Sequence, residues 1–481
     1  MYPPIVIIGS FLVVLLGRLV YNHFRLLSTG IKGPFVASLT NAWRASKMRQ
    51  PFYAEYVYSL HQKYGKLVRL GPRYVSVADP AAIPIIYGTR PVWIKADSYH
   101  PLMSINKGKV MPSIVSTVSE DYFTKLRKGV GNAFATYTLL DYEKYLEESS
   151  EEVLDVFRKK QGARFDMIPW LFFYTMDAMS RIAFSETPAF VSSGTDVGNS
   201  MAAISSRFEY WAKWAALPAL EKLIHKNLLV RMAASKGSPL AEMAASKIRA
   251  RKTATQPLAQ KDLLAKFMDA AEKHPDTISS DSVLSLVIST IAAGGDTTAV
   301  TLSATIYYLL KNPSTYDKVM EELKAAAAAG KLSDSPLWNE VNVLPYLDAV
   351  LKETLRCYPI GQFSIDRIVP KGGATIAGTF LPEGTVVGCQ QVTMHQDKEV
   401  FGKDVETFRP ERWLEATDEQ RKKMEKTFLG FSTGKRICIG MHIAQMEWKK
   451  FIPHLLMNFK VMSTLYGCAP ERTSDSCVDH T

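Results

Sequence analysis

Ten residues towards the C-terminal end, Phe431-Ser-Thr-Gly-Lys-Arg-Ile-Cys-Ile-Gly440, set a cysteine, an arginine and two glycines at short fixed spacings. An amphipathic helical stretch, Met441 to Phe459, follows at once. A cysteine just before a helix presents its sulfur to unpaired backbone N–H groups and to the positive end of the helix dipole, which favours the thiolate. A thiolate is a nucleophile or a metal ligand. Gly434 and Gly440 let the backbone come close to a flat ligand without side-chain collision. Arg436 offers a permanent cation beside the loop, suited to a carboxylate. Taken alone, Cys438 reads more readily as a buried structural cysteine, the usual fate of a free thiol. Phe431, Gly434, Arg436 and Gly440 around it favour the ligand.

Two further constellations lie upstream. Ala293-Gly-Gly-Asp-Thr-Thr298 interrupts an otherwise apolar helical stretch from about Ser282 to Leu310. Two glycines in a helix interior cost on the order of 1 kcal/mol each, so another body is expected to approach there, or the helix to distort. Asp296 and Thr297 supply an acid and a hydroxyl, the pieces of a proton relay. The alternative is an N-cap at a broken helix, against which the apolar pattern continues through Val300–Leu310. Glu353-Thr-Leu-Arg356 puts a carboxylate and a guanidinium on one helix face. Alone this is a common surface pair, but Phe408-Arg-Pro-Glu-Arg-Trp413 stands between it and the cysteine.

The three motifs in this order resemble the cytochrome P450 family, from about residue 60 to residue 458. The anchor described below and Tyr64-Gly-Lys-Leu-Val-Arg-Leu-Gly-Pro72 resemble its microsomal, fungal members, loosely the pisatin-demethylase-like enzymes. The resemblance implies haem b, iron protoporphyrin IX, with Cys438 as axial thiolate, a ligand type that favours O–O cleavage. It makes Asp296 and Thr297 the catalytic proton relay, and it joins Glu353, Arg356 and Arg412 in a buried structural triad that locks the cysteine loop. Cofactor-binding residues are then Phe431, Gly434, Arg436, Cys438 and Gly440, with Arg127 and Arg367 as further propionate partners. Phe123 stands where the family carries a residue that donates a hydrogen bond, so that one contact departs from the pattern. The implied reaction inserts one atom of O2 into an apolar small molecule, with electrons from NADPH through a diflavin reductase that docks on the basic cysteine-side face. A reductase-independent haem-thiolate isomerase is a second possibility, disfavoured by the intact Asp296-Thr297 pair.

The whole chain must position these groups. Its 481 residues contain 47% hydrophobic side chains, enough for a large core with room for haem, and no linker, repeat or low-complexity tract divides it. Helical periodicity dominates, with hairpin-like strands at Val68–Val77 and between Ile365 and Val387, so the fold class is mainly α with a minor antiparallel β portion. The net charge of +11 is spread without dense Lys/Arg runs. That argues against nucleic acid and for an anionic membrane surface or an acidic electron donor. Five cysteines without C-x-x-C spacing fit a reducing compartment. Tyr2 to Gly17 carry no charge, and with Arg18 snorkelling the span reaches the roughly 20 residues a bilayer requires. Positive residues follow it, which keeps the remainder cytosolic; a cleaved signal peptide is the rival. The expected organisation is an anchor at 1–21 in the endoplasmic reticulum membrane, a hinge at 22–35, a catalytic domain at 36–460 and an atypical tail at 461–481. In that tail the family's C-terminal hairpin is expected to be missing or replaced, which leaves a silent or unstable haem protein as an alternative function.

Overall fold

The apolar stretch that carries Asp296 and Thr297 forms one unbroken helix, Ser280–Lys311, begun by the Ser279 hydroxyl accepting from the Ser282 N–H. The computed structural model describes residues 3–106, 108–233, 239–253 and 261–462. Helix Ile168–Phe184 lies along Ser280–Lys311, and Leu140–Lys159, Pro345–Cys357 and Met441–Asn458 complete the same apolar core. Each contributes a stripe of buried aliphatic and aromatic side chains, which is what holds such helices together.

The glycine pair has a close neighbour. A Cβ on Gly294 would sit 2.6 Å from Met179 Sδ, and one on Gly295 2.6 Å from Met176 Sδ. A body approaching on that side is therefore helix Ile168–Phe184, and no widened turn breaks the helix assignment. The Thr175 hydroxyl donates to the Gly295 carbonyl at 2.8 Å, which adds a polar tie at this crossing.

The strands form a small lobe. β1 (Leu67–Gly71) pairs antiparallel with β2 (Tyr74–Val77), with Leu67 opposite Val77, as the hairpin pattern implied. β3 (Ser104–Asn106) and β4 (Lys109–Met111) form a separate hairpin inside a segment expected to be loop. β5 (Arg367–Ile368), the β6–β7 hairpin (Ala374–Ile376 and Thr379–Leu381) and β8 (Val386–Cys389) fill the second predicted strand region. The main sheet has the order β1-β2-β8-β5; its β2–β8 pair is parallel and its other pairs antiparallel. The fold is mainly α with small sheets, and β5 begins at Arg367.

Helix Pro3–Phe24 leaves nearly all its apolar side chains exposed. Its last turn is tied to the body, since buried Arg69 donates to the carbonyls of Asn22 (2.6 Å) and His23 (3.0 Å). The expected missing hairpin falls on residues 463–481, which lie outside the described residues.

Candidate functional site: the Cys438 loop and its cations

The cysteine loop is held by its own backbone. Cys438 N–H donates to the Phe431 carbonyl at 2.9 Å, and Ile437 N–H to Gly434 at 3.2 Å. Gly434 has φ +65°, and a Cβ there would meet the Tyr87 carbonyl at 2.0 Å, so conformation and space both demand glycine. Gly440 differs, because no protein atom lies within 4 Å of where its Cβ would be. That open side, immediately before helix Met441–Asn458, suits close approach of a flat group. Cys438 has accessible surface of its own, yet the surrounding protein desolvates it and raises its thiol above the ordinary range. The Gly440 N–H, the Arg127 charge and the Met441 N–H act in the opposite direction, as the motif implied, but burial outweighs them. A metal ion's charge would reverse that balance, because a coordinating thiol is deprotonated outright.

Cations gather beside this loop. Arg127, on helix Glu120–Val130, donates through Nη1 to the Ile437 carbonyl at 2.7 Å and so braces the residue before the cysteine. Arg436 is already engaged. Its Nε and Nη2 lie 3.1 and 2.6 Å from Glu120 Oε1, Nη1 donates to the Thr117 carbonyl, and the guanidinium lies 3.6 Å from the Phe123 ring centroid. Phe123 thus keeps a role despite lacking a hydrogen-bond donor: it is the platform on which Arg436 rests. Arg367 is buried, donates to its neighbour's carbonyl at Asp366 at 3.0 Å and also acts on the Tyr99 hydroxyl.

Sequence reasoning missed Lys95. It bridges to Arg367 through the backbone, is buried, donates to the Val115 carbonyl and rests over the Tyr99 ring. Burial first, then the charges of Arg367 and Arg436, hold its ammonium well below the ordinary lysine range. Its only sequence signal is a cation closing the apolar run Val92-Trp93-Ile94. Lys95, Arg367 and Arg436 thus repel one another, with Glu120 and Asp366 as the carboxylates near them. Buried like charges require counter-charge. A flat ligand with two carboxylates and a metal for Cys438 fits this donor set and the open face of Gly440.

Asp296 is half-buried, makes no hydrogen bond or ion pair among the described residues, and burial raises its carboxyl above the ordinary range. Thr297 bonds back to the Ala293 carbonyl at 2.7 Å. The two side chains are adjacent on the buried helix but make no direct bond to each other, so a relay through them needs the hydroxyl to turn away from its resting partner.

Glu353 receives a dense set of donors. Arg356 reaches it through Nε (2.9 Å) and Nη2 (2.8 Å), Arg412 through Nε (2.9 Å), the Trp413 indole at 2.9 Å and the Arg409 N–H at 2.9 Å. Burial alone would raise this carboxyl; hydrogen bonds and charge from Arg356, then the charge of Arg412, hold it below the usual range. The remaining guanidinium hydrogens of Arg356 and Arg412 go to the carbonyls of His395, Phe401, Asp404, Val405 and Thr407, stapling this irregular region. His395 links onward, its Nε2 accepting from the Leu429 N–H at 2.8 Å at the entrance to the cysteine loop.

Comparison with known proteins points to a family. A family model described as Cytochrome P450 matches residues 34–470. A cytochrome P450 monooxygenase of Aspergillus terreus is 36% identical over 478 residues, covering 96% of each chain. The monooxygenase cicH of Emericella nidulans is 32% identical over 95% of this chain and 93% of its own. Another, mpaDE of Penicillium brevicompactum, is 32% identical over 93% of this chain but 53% of its own length.

Proposed function

The chain belongs to the cytochrome P450 family and is a monooxygenase, and on that premise we propose that it is a membrane-anchored haem-thiolate enzyme oxidising an apolar small molecule in fungal secondary metabolism or detoxification. The observation that carries the reading is the exposed Cys438, with open space at Gly440, beside the clustered buried cations Lys95, Arg367 and Arg436. Cys438 would ligate the iron, and those cations, with Arg127 bracing the loop, would hold the two propionates. Haem, when bound, supplies the site that binds and reductively activates O2.

The chain's own groups then have separable tasks. Asp296, whose carboxyl burial raises above the ordinary range, takes up and releases a proton, and the Thr297 hydroxyl passes it on after leaving the Ala293 carbonyl. Apolar residues flanking them, such as Ile291 and Ala292, limit water and favour an apolar substrate, which the Tyr99–Ser119 segment would also contact. The triad of Glu353, Arg356 and Arg412 has a structural task.

Two surfaces support the wider setting, a domain of about residues 36–460 on a single-pass anchor at 1–21 with a hinge at 22–35, the body lying on the cytosolic side of the endoplasmic reticulum membrane. Helix Pro3–Phe24 is long and apolar enough to cross a bilayer, and Leu223, Leu228, Leu229 and Met232 expose further apolar surface. Helix Asp418–Thr427, which leads into the cysteine loop, exposes Lys422, Lys423 and Lys426, suited to an acidic diflavin reductase carrying electrons from NADPH.

The test is the reduced carbon monoxide difference spectrum of membranes expressing the full chain. A strongly red-shifted Soret band, abolished by Cys438→Ser, is expected. A band typical of histidine-ligated haem, or no band, would overturn the assignment of Cys438.

A further inference from the structure

Glu447 lies nine residues beyond Cys438 on helix Met441–Asn458 and is completely buried, yet neither of its carboxyl oxygens has a hydrogen-bond partner. Two other unpartnered hydroxyls stand near it. Thr298, on helix Ser280–Lys311, is one; Tyr174, on helix Ile168–Phe184, is the other. Nearby threonines on the same helix behave differently: Thr297, Thr301 and Thr305 each donate to the carbonyl four residues back, at 2.7, 2.9 and 2.8 Å. Thr298 leaves its hydroxyl unused. The Tyr174 ring is stacked on Phe451, one turn beyond Glu447, with centroids 4.4 Å apart, which brings its hydroxyl to the same helix face.

No cation offsets a charge on Glu447. Lys449 pairs with Asp348 at 2.7 Å, and Lys450 with Glu143 at 2.6 Å and Glu147 at 2.9 Å. Burial is the first cause acting on its carboxyl and raises it well above the ordinary range; among the described residues the Thr298 hydroxyl opposes this, and the Glu447 charge acts on Tyr174. An isolated carboxylate in such a place is prohibitively costly, whereas a neutral acid is both donor and acceptor. Three orphaned groups from three helices are the setting in which a buried water, making about three hydrogen bonds, satisfies all of them.

We propose that Glu447, Thr298 and Tyr174 enclose one ordered water, and that this site ties the helix following Cys438 to the turn carrying Asp296 and Thr297. The water bridges three helices whose groups form no hydrogen bond to one another among the described residues, so it is a fixed structural ligand. Nothing in the argument depends on the cofactor, and its failure would leave the haem-thiolate assignment intact.

Infrared difference spectroscopy on the purified full chain tests it. The carbonyl stretch of a protonated carboxylic acid is expected in the wild type, shifted in D2O and absent in Glu447→Gln. Thr298→Val and Tyr174→Phe, which are milder changes, should each move that band, and they keep the test available if Glu447→Gln does not accumulate. A crystal structure should place one water within hydrogen-bond distance of all three groups. A carboxylic acid band unaffected by Thr298→Val and Tyr174→Phe, a carboxylate signature lost in Glu447→Gln, or density with no water between the three would each overturn the proposal.

Discussion

Arg412 Nε lies 2.9 Å from Glu353 Oε1, joining two buried side chains 59 residues apart and placing both at the back of the cysteine loop. Glu353 also serves Arg356, Trp413 and the Arg409 N–H, so its removal strands two guanidinium groups and an indole in the core. Breaking a buried pair from one side typically costs about 3–5 kcal/mol. We expect Glu353→Ala and Arg412→Ala to lower the melting temperature sharply and to yield little haem-loaded protein. Glu353→Gln, which keeps part of the acceptor set, should fall between them and the wild type. Haem-to-protein absorbance ratios decide the matter; normal loading in Glu353→Ala would refute the structural role.

Asp296 and Thr297 should separate oxygen activation from cofactor binding. Asp296→Asn cannot act as an acid, and proton transfer by a positioned group contributes about 10²–10⁴-fold. Product formation should therefore fall by on the order of 10²-fold while the carbon monoxide spectrum stays normal. Thr297→Ala should go on consuming NADPH but release peroxide in place of product. The ratio of product to NADPH consumed, measured in both variants with a turned-over substrate, checks this. Wild-type coupling in both would remove them from the proton path.

At the glycine pair the neighbour is specific enough for a double-mutant cycle. Gly294→Ala gains helix propensity worth about 1 kcal/mol but sets a Cβ 2.6 Å from Met179 Sδ. Overpacking typically costs about 1–3 kcal/mol, and methionine flexibility keeps this case near the lower end. The net expected effect is a modest loss of stability. In a Met179→Ala background the added methyl has room, so Gly294→Ala should there be neutral or stabilising. Additive effects across the cycle, with coupling below about 0.5 kcal/mol, would mean that Met179 is not what keeps position 294 a glycine.

Much of this site was legible because its chemistry is written at short spacing. Cys438 with Arg436 and Gly434, Asp296 with Thr297, and Glu353 with Arg356 each sit within one or two helical turns or one loop. Arg412 became legible through its own motif. What was hidden depends on who arrives from elsewhere. Lys95 meets Arg367 only because a β-bridge joins distant segments, and β2 pairs in parallel with β8 for the same long-range reason. The glycine pair announced a close approach, but no local pattern says that two methionines make it. Glu447, in Met446-Glu-Trp-Lys-Lys450, reads as one charge in a polar helix turn until Tyr174 and Thr298 close over it.

Acid should attack the support of the cysteine loop through His395. Burial first, and the Arg356 charge second, lower its folded pKa to about 3 from an ordinary 6.5. The neutral ring is needed, since Nε2 accepts from Leu429 N–H at 2.8 Å while the ring stacks on Phe428. Because the folded pKa is depressed, the unfolded chain takes up the proton first. The stabilisation is complete above about 6.5 and is lost as pH falls towards 3, at about 1.4 kcal/mol per pH unit once the unfolded ring is charged. His61, lowered to about 4 by burial, loses stability over an overlapping range, as does His454, whose pKa is also lowered by burial. His395→Gln should therefore be less stable than the wild type at neutral pH but lose less on acidification. Melting temperatures of both proteins between about pH 7.5 and 5, above the range where ordinary carboxylates titrate, measure the difference. If the two curves run parallel, the His395 ring is not the group that titrates.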